Sequence, residues 1–222
     1  MIKKAYFISG LGAKCSIFDK IRLPENYQMV YLEWINPLKK ESLTSYSERI
    51  SEPINKTEEF ILIGLSFGGI VAQEIVKCKK PKHLILISSV RSENEFSSFF
   101  KTVKYFQLQK ILPKVAFSSK GFLLYVFLRK IYSKKLPKVQ DFLRTDLENY
   151  FYTWSINQII NWKSEVNEIA FRIQGTKDPV FPIKLTHHND FFIEKGSHIM
   201  ILSHSKQIEN IINKIITHHV EC

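Results

Sequence analysis

An α/β fold is predicted, with a mostly parallel central sheet of about six strands flanked by helices and one inserted helical cap. Three observations carry that expectation. Short apolar runs alternate with longer helical patterns, one run passes through a glycine-flanked serine into a helix, and the alternation breaks once for about 80 residues.

The runs place strands at about 5–9, 29–34, 60–65, 83–88, 169–174 and 190–194. The first, Ala5-Tyr6-Phe7-Ile8, leads into Ser9-Gly10-Leu11-Gly12. A helix is expected over about 42–56, where Leu43, Tyr46, Ile50 and Ile54 share one side and Pro53 is a candidate kink. Phe60 to Leu65 is apolar or glycine throughout, as suits a parallel strand buried on both faces. Ile70, Val71, Ala72, Ile75 and Val76 then form the inner stripe of the next helix. After the strand ending near Ser88, the sheet is expected to resume only near Ile169. That divides the chain into a first core part (1–90), a cap (91–149) and a second core part (150–222), with Pro113, Gly121 and Pro137 splitting the cap into three helices. Tyr150 to Trp162 reads as the helix returning to the sheet, with Phe151, Trp154, Ile159 and Trp162 available to pack. The last helix repeats Ile208, Ile211, Ile212, Ile215 and Ile216 behind a cap at Ser203 or Ser205.

Gly64-Leu65-Ser66-Phe67-Gly68 has the form of a strained strand-to-helix turn that presents a nucleophile. Its glycines make steric sense, because side chains there would collide where helix and strand approach closely. An activated serine needs a base within hydrogen-bond reach and an acid to orient that base. Asp178 follows the fifth strand in Gly175-Thr176-Lys177-Asp178, and His198 follows the sixth in Gly196-Ser197-His198. Both loops should open at the carboxyl edge of the sheet, together with Ser66.

These motifs, and the order Ser66, Asp178, His198, resemble the α/β-hydrolases, in the capped single-domain group of serine esterases and hydrolases. The resemblance covers nearly the whole chain. It implies a carboxylesterase in which Ser66 attacks, His198 moves the proton and Asp178 fixes the histidine tautomer. Acyl thioester hydrolysis, acyl transfer and non-catalytic ligand binding are the alternatives. It also implies an oxyanion hole made by the backbone N–H groups of Phe67 and Leu11, although Ser9 stands where family members commonly have histidine. A serine rather than an aspartate at the nucleophile position argues against dehalogenase and epoxide hydrolase chemistry.

No cofactor and no metal site is expected. His187 and His188 fall in a surface connection, and His218 and His219 in the last helix, without carboxylates or cysteines spaced to join them. His204 is expected to cap the final helix or face solvent, and Trp34 either lines the pocket or covers the sheet edge. Cys15, Cys78 and Cys222 lack any CxxC spacing and read as free thiols of a reducing compartment. With no apolar run at the start long enough for a signal or a span, a cytoplasmic protein is expected.

The formal charge is +11, and its excess is concentrated. Between Phe96 and Gln140 no acidic residue occurs, against Lys101, Lys104, Lys110, Lys114, Lys120, Arg129, Lys130, Lys134, Lys135 and Lys138. Nine Phe and Tyr residues are interleaved with them. A basic rim over an apolar cavity would attract an anionic, lipid-like acyl ester or thioester, or bring the cap into peripheral contact with an anionic membrane. The alternative is a set of solvated helix faces. Nucleic acid is not an expected partner, because no recognised reader motif accompanies the basic tract.

Overall fold

The computed structural model describes residues 2–97, 105, 139–144, 146–164 and 170–217. The three expected cap helices, the ten basic side chains and His218, His219 and Cys222 lie outside the described residues. Six parallel strands form one sheet: β1 (Lys3–Ile8), β2 (Tyr27–Tyr31), β3 (Phe60–Leu65), β4 (His83–Ile87), β5 (Phe171–Gly175) and β6 (Asp190–Ile193). Their order is β2-β1-β3-β4-β5-β6. Because β4 and β5 are neighbours, the long segment joining them is an insertion between adjacent strands of a finished sheet.

Period-2 alternation sends successive side chains to two separate cores. Tyr6, Ile8, Leu62 and Leu86 pack on the face covered by α1 (Leu43–Ile50), α2 (Phe67–Val76) and α3 (Asn149–Asn161). Phe7, Ile61, Ile63, Ile85 and Ile173 pack on the other, against α4 (Met200–Ser203) and α5 (Ser205–Thr217). In α5 the expected stripe is observed, with Ile208, Ile212, Ile215 and Ile216 buried and Ile211 partly so. Among the described residues no helix is long and apolar enough to cross a membrane.

Some boundaries differ from expectation for local reasons. The helix expected over 42–56 is α1, which starts behind Ser42, whose hydroxyl accepts from the Ser45 N–H at 3.1 Å, and ends at Ile50. Pro53 does not kink it; the chain has already left the helix by Ser51, consistent with the bias against helical backbone before a proline. β1 begins two residues before the expected start because Lys3 and Lys4 join the ladder opposite Tyr27 and Gln28, their ammonium groups beside Glu59 and Glu58. β2 ends at Tyr31 rather than at Trp34, so Trp34 lies past the sheet. Of the two serines expected to cap the last helix, Ser203 ends α4 and Ser205 begins α5, and the His204 carbonyl accepts from Ile208 N–H.

β5 is apolar on one face, with Phe171 and Ile173, and polar on the other, with buried Arg172 and Gln174. The Arg172 guanidinium lies 2.9 Å from Glu95 and 2.7 Å from Asp190, and Arg91 reaches the second oxygen of Asp190. This network ties the beginning of the insertion to β5 and β6. The Asp190 side chain has no exposed surface. Burial alone would push its carboxyl up, but hydrogen bonds from Arg172 and Arg91 and their positive charges outweigh that and hold it below the ordinary carboxylate range. Asp190 therefore adds stability that is complete above the unfolded value of about 4 and is lost as the pH falls through its lower folded value. Asp190→Asn is expected to cost about 3 kcal/mol at neutral pH by leaving the buried Arg172 and the partly buried Arg91 with Glu95 as their remaining nearby carboxylate. In acid the gap between variant and wild type should narrow, as chemical denaturation at stepped pH would show.

Candidate active site

Ser66 is the single residue between β3 and α2, with φ 54° and ψ −119°. That is a left-handed backbone that residues with a side chain rarely adopt. Its surroundings hold it there. The Ser66 N–H donates to the Ile87 carbonyl at 2.9 Å, while its own carbonyl accepts from Gly69 N–H at 2.9 Å and from the Ser89 hydroxyl at 2.8 Å. The motif glycines are required by close approach: a Cβ on Gly68 would strike the carbonyl oxygens of Ile8 and Ser9, and one on Gly64 would strike the Gly68 carbonyl. The nucleophile helix thus begins directly against the end of β1.

The loops after β5 and β6 meet at the same edge. A Cβ on Gly175 would run into the Gly196 carbonyl, and the two loops are joined by Lys177 N–H donating to Gly196 O at 2.9 Å and Thr176 N–H to Ile193 O at 3.0 Å. This contact brings the two groups carried beyond the strands together. His198 Nε2 lies 2.9 Å from Ser66 Oγ, and His198 Nδ1 lies 2.9 and 3.1 Å from the two Asp178 oxygens. A carboxylate facing Nδ1 selects the tautomer with its proton there, which leaves the Nε2 lone pair free to accept from the serine hydroxyl. The Asp178 side chain is fully buried, His198 is 18% exposed and Ser66 is half-buried, so the series runs from the interior towards solvent.

Asp178 is held from three further sides. Its Oδ1 accepts from the N–H groups of Val180 (2.8 Å) and Phe181 (3.0 Å), and its Oδ2 from Gln174 Nε2 at 2.9 Å. Gln174 also donates to Phe181 O at 2.7 Å, so one buried amide fixes both the carboxylate and its loop. The Phe181 ring meets His198 edge-on at 5.5 Å between centroids. Sequence reasoning missed Gln174 and Ser89. A glutamine on a strand otherwise buried on both faces is the one signal that pointed to the first.

The loop after β1 packs on the nucleophile, since a Cβ built on Gly10 would lie 3.6 Å from that of Ser66. Without a histidine at position 9, the bracing comes from elsewhere. The Ser9 hydroxyl donates to Ala13 O at 2.5 Å and Trp34 Nε1 donates to Gly10 O at 2.9 Å. Trp34 is 1% exposed, so it lies inside the core rather than merely covering the sheet edge, and it stacks on Phe67. His187 and His188 are exposed neighbours on the connection between β5 and β6, and His204 pairs with the Ser203 hydroxyl at 2.8 Å. Among the described residues no group of three or more His, Cys, Asp or Glu is placed to hold a metal ion. Cys15 and Cys78 are free thiols, and burial pushes that of Cys15 up to about 12, which keeps it protonated and inert.

No protein-family model matches the chain, and no curated protein does. Solved structures do. One from a study of carboxylesterases of the ammonia-oxidizing thaumarchaeon Nitrososphaera gargenis is 15% identical with a TM-score of 0.68, covering 97% of this chain and 90% of that one. An alpha/beta hydrolase fold protein from Burkholderia ambifaria is 12% identical with a TM-score of 0.67, covering 96% and 90%. A thermophilic esterase from Thermogutta terrifontis is 12% identical with a TM-score of 0.66, covering 96% and 89%. At such identities the likeness is one of fold. The chain has the α/β-hydrolase fold, with a serine, an aspartate and a histidine of serine-hydrolase geometry following its third, fifth and sixth strands.

Proposed function

We propose that the protein is a carboxylesterase that cleaves its substrate through an acyl-enzyme. The observation that carries this reading is the continuous hydrogen-bonded series Ser66 Oγ, His198 Nε2, His198 Nδ1, Asp178 at the end of a strained strand-to-helix turn. Ser66 Oγ attacks the ester carbonyl as His198 Nε2 takes its proton. Asp178 stabilises the imidazolium that forms. The carbonyl oxygen becomes an oxyanion, held by the N–H groups of Phe67 and Leu11. Phe67 is the first residue of α2, whose first-turn N–H groups have no partner within the helix, and Leu11 follows the glycine packed on Ser66. Collapse breaks the ester C–O bond, and His198 returns the proton to the leaving alkoxide. Water then attacks the acyl-enzyme with His198 as base, releasing the acid and restoring Ser66.

The same groups would cleave a thioester, or pass the acyl group to another acceptor. The substrate proposed here is an anionic acyl conjugate. Supporting it are the ten basic residues, without one acid, between Phe96 and Gln140, and the aromatic residues among them. Two of the similar structures are described as a carboxylesterase and an esterase, which supports the ester over other bonds.

A fluorophosphonate probe should label the wild-type protein at Ser66 and leave Ser66→Ala unlabelled, as peptide mass spectrometry would read. Folded wild-type protein without an adduct, beside a labelled control esterase, would overturn the catalytic reading. Asp178→Asn should lower kcat about ten-thousand-fold by presenting the wrong histidine tautomer. The charge of the substrate has its own test: raising the ionic strength from about 0.01 to about 0.15 M shortens the screening length from about 30 to about 8 Å. kcat/KM for an anionic acyl ester should fall several-fold while that for a neutral ester of equal chain length holds. Equal responses would reduce the basic segment to a solvated surface.

A further inference from the structure

We propose that Trp34 is the positioning residue of the oxyanion hole, one side chain that aims both of its backbone donors; the proposal rests on the hydrolase reading above. The indole N–H donates to the carbonyl of Gly10 at 2.9 Å. That carbonyl belongs to the same peptide group as the Leu11 N–H. Peptide groups are planar, and none among the described residues is cis, so the N–H must point opposite to the C=O. Anchoring the oxygen on the indole therefore turns the Leu11 N–H away from Trp34, on a loop whose Gly10 already lies against Ser66. The Gly10 oxygen also accepts from Ala13 N–H at 2.9 Å. Two donors on one carbonyl polarise the peptide and strengthen its N–H as a donor.

The ring of Trp34 addresses the second donor. It stacks on Phe67 with centroids 5.3 Å apart and planes 14° from parallel. Phe67 supplies the other N–H, and its ring position constrains the backbone that carries it. Trp34 is itself confined by Tyr46 of α1 at 6.4 Å and Phe151 of α3 at 5.5 Å. A buried indole N–H needs some acceptor, and many backbone oxygens would satisfy it. Here the acceptor is the carbonyl whose orientation sets an oxyanion donor. The role that histidine at position 9 is absent to play is thereby taken, with Ser9, by a residue from a different strand connection.

The test separates aiming from packing. Trp34→Phe retains an aromatic ring facing Phe67 and loses the N–H. Placing 3-benzothienylalanine at position 34 keeps the full bicyclic volume with sulfur in place of the N–H, and decides the matter if the phenylalanine variant fails to fold. Steady-state hydrolysis of p-nitrophenyl acetate is measured together with inhibition by an alkyl trifluoromethyl ketone, whose hemiketal with Ser66 carries an oxyanion. Loss of a whole oxyanion donor lowers kcat by about 100–1000-fold, and a mis-aimed one should lower it by about 10–100-fold. We expect that fall in kcat with KM unchanged, and weaker ketone inhibition by the same factor. A benzothienyl protein with wild-type kcat and wild-type ketone inhibition would overturn the role of Trp34. So would a loss seen in KM alone. Wild-type protein that neither turns over the ester nor binds the ketone would instead sink the hydrolase reading itself, and this inference with it.

Discussion

Holding Ser66 at φ 54° stores on the order of 1–3 kcal/mol of backbone strain, which persists only if the surroundings leave the residue no alternative. Every neighbour described above contributes to that end. The N–H of Ser66 is tied to β4 through Ile87, and its carbonyl to α2 through Gly69 and to the segment after β4 through Ser89. Relaxing the turn would break all three bonds. The glycines on either side allow the helix to start so near the end of β1 that any side chain at Gly68 would displace two carbonyl groups. The strain is therefore bounded by the packing of β1, β3, β4 and α2 together, and it leaves the hydroxyl pointing out of the turn, at the imidazole.

Convergence of the other two groups follows from strand direction. In an all-parallel sheet every strand releases the chain at the same edge, so residues more than a hundred positions apart need only short loops to meet. The spacing of the loops then has to be set to within a hydrogen bond. Contact between Gly175 and Gly196 does that, because two chains without side chains can touch and be joined by backbone hydrogen bonds. Gln174 completes the arrangement from beneath: its amide faces the same way as Arg172 on β5, and it reaches the carboxylate that the loop above presents. The polar face of β5 thus serves two ends, the Arg172 ion pairs securing the insertion and Gln174 securing the acid of the site.

The parts of this arrangement that were legible in the sequence are those written in local pattern. All six strands were legible as apolar runs, and the nucleophile and its partners as motifs at strand ends, since turn geometry and burial on both faces restrict which residues can occur there. The rest depends on contacts between distant segments. Ser89 and Gln174 are ordinary polar residues until folding brings them beside the Ser66 carbonyl and Asp178. Trp34 was ambiguous for the same reason, since a tryptophan past a strand end fits several surroundings and only the Gly10 carbonyl at 2.9 Å assigns one. The end of α1 shows the opposite failure: the apolar spacing continued to Ile54, which is indeed buried, yet the backbone had left the helix before Pro53.

The loop after β1, which carries the Leu11 N–H proposed as an oxyanion donor, is held without a histidine of its own. Three independent ties converge on residues 9 to 15: the Ser9 hydroxyl, the Trp34 indole, and the segment where the chain returns from the insertion. That segment is bridged to it at Ala13 and Leu143, with Lys14 N–H donating to Phe142 O at 2.7 Å and Arg144 N–H to Gly12 O at 2.8 Å. Glu33 joins the two strips further, accepting from Cys15 N–H at 2.9 Å and pairing with Arg144 at 3.1 Å. Gly12, with φ 66°, leaves room for the Tyr152 ring that packs where a Cβ would stand. A loop so constrained has little reorganisation left to make when charge develops on a bound oxygen. Electrostatic stabilisation is most effective when the donors are already in place before the transition state, so the ties on this loop are the physical basis for proposing it for that task.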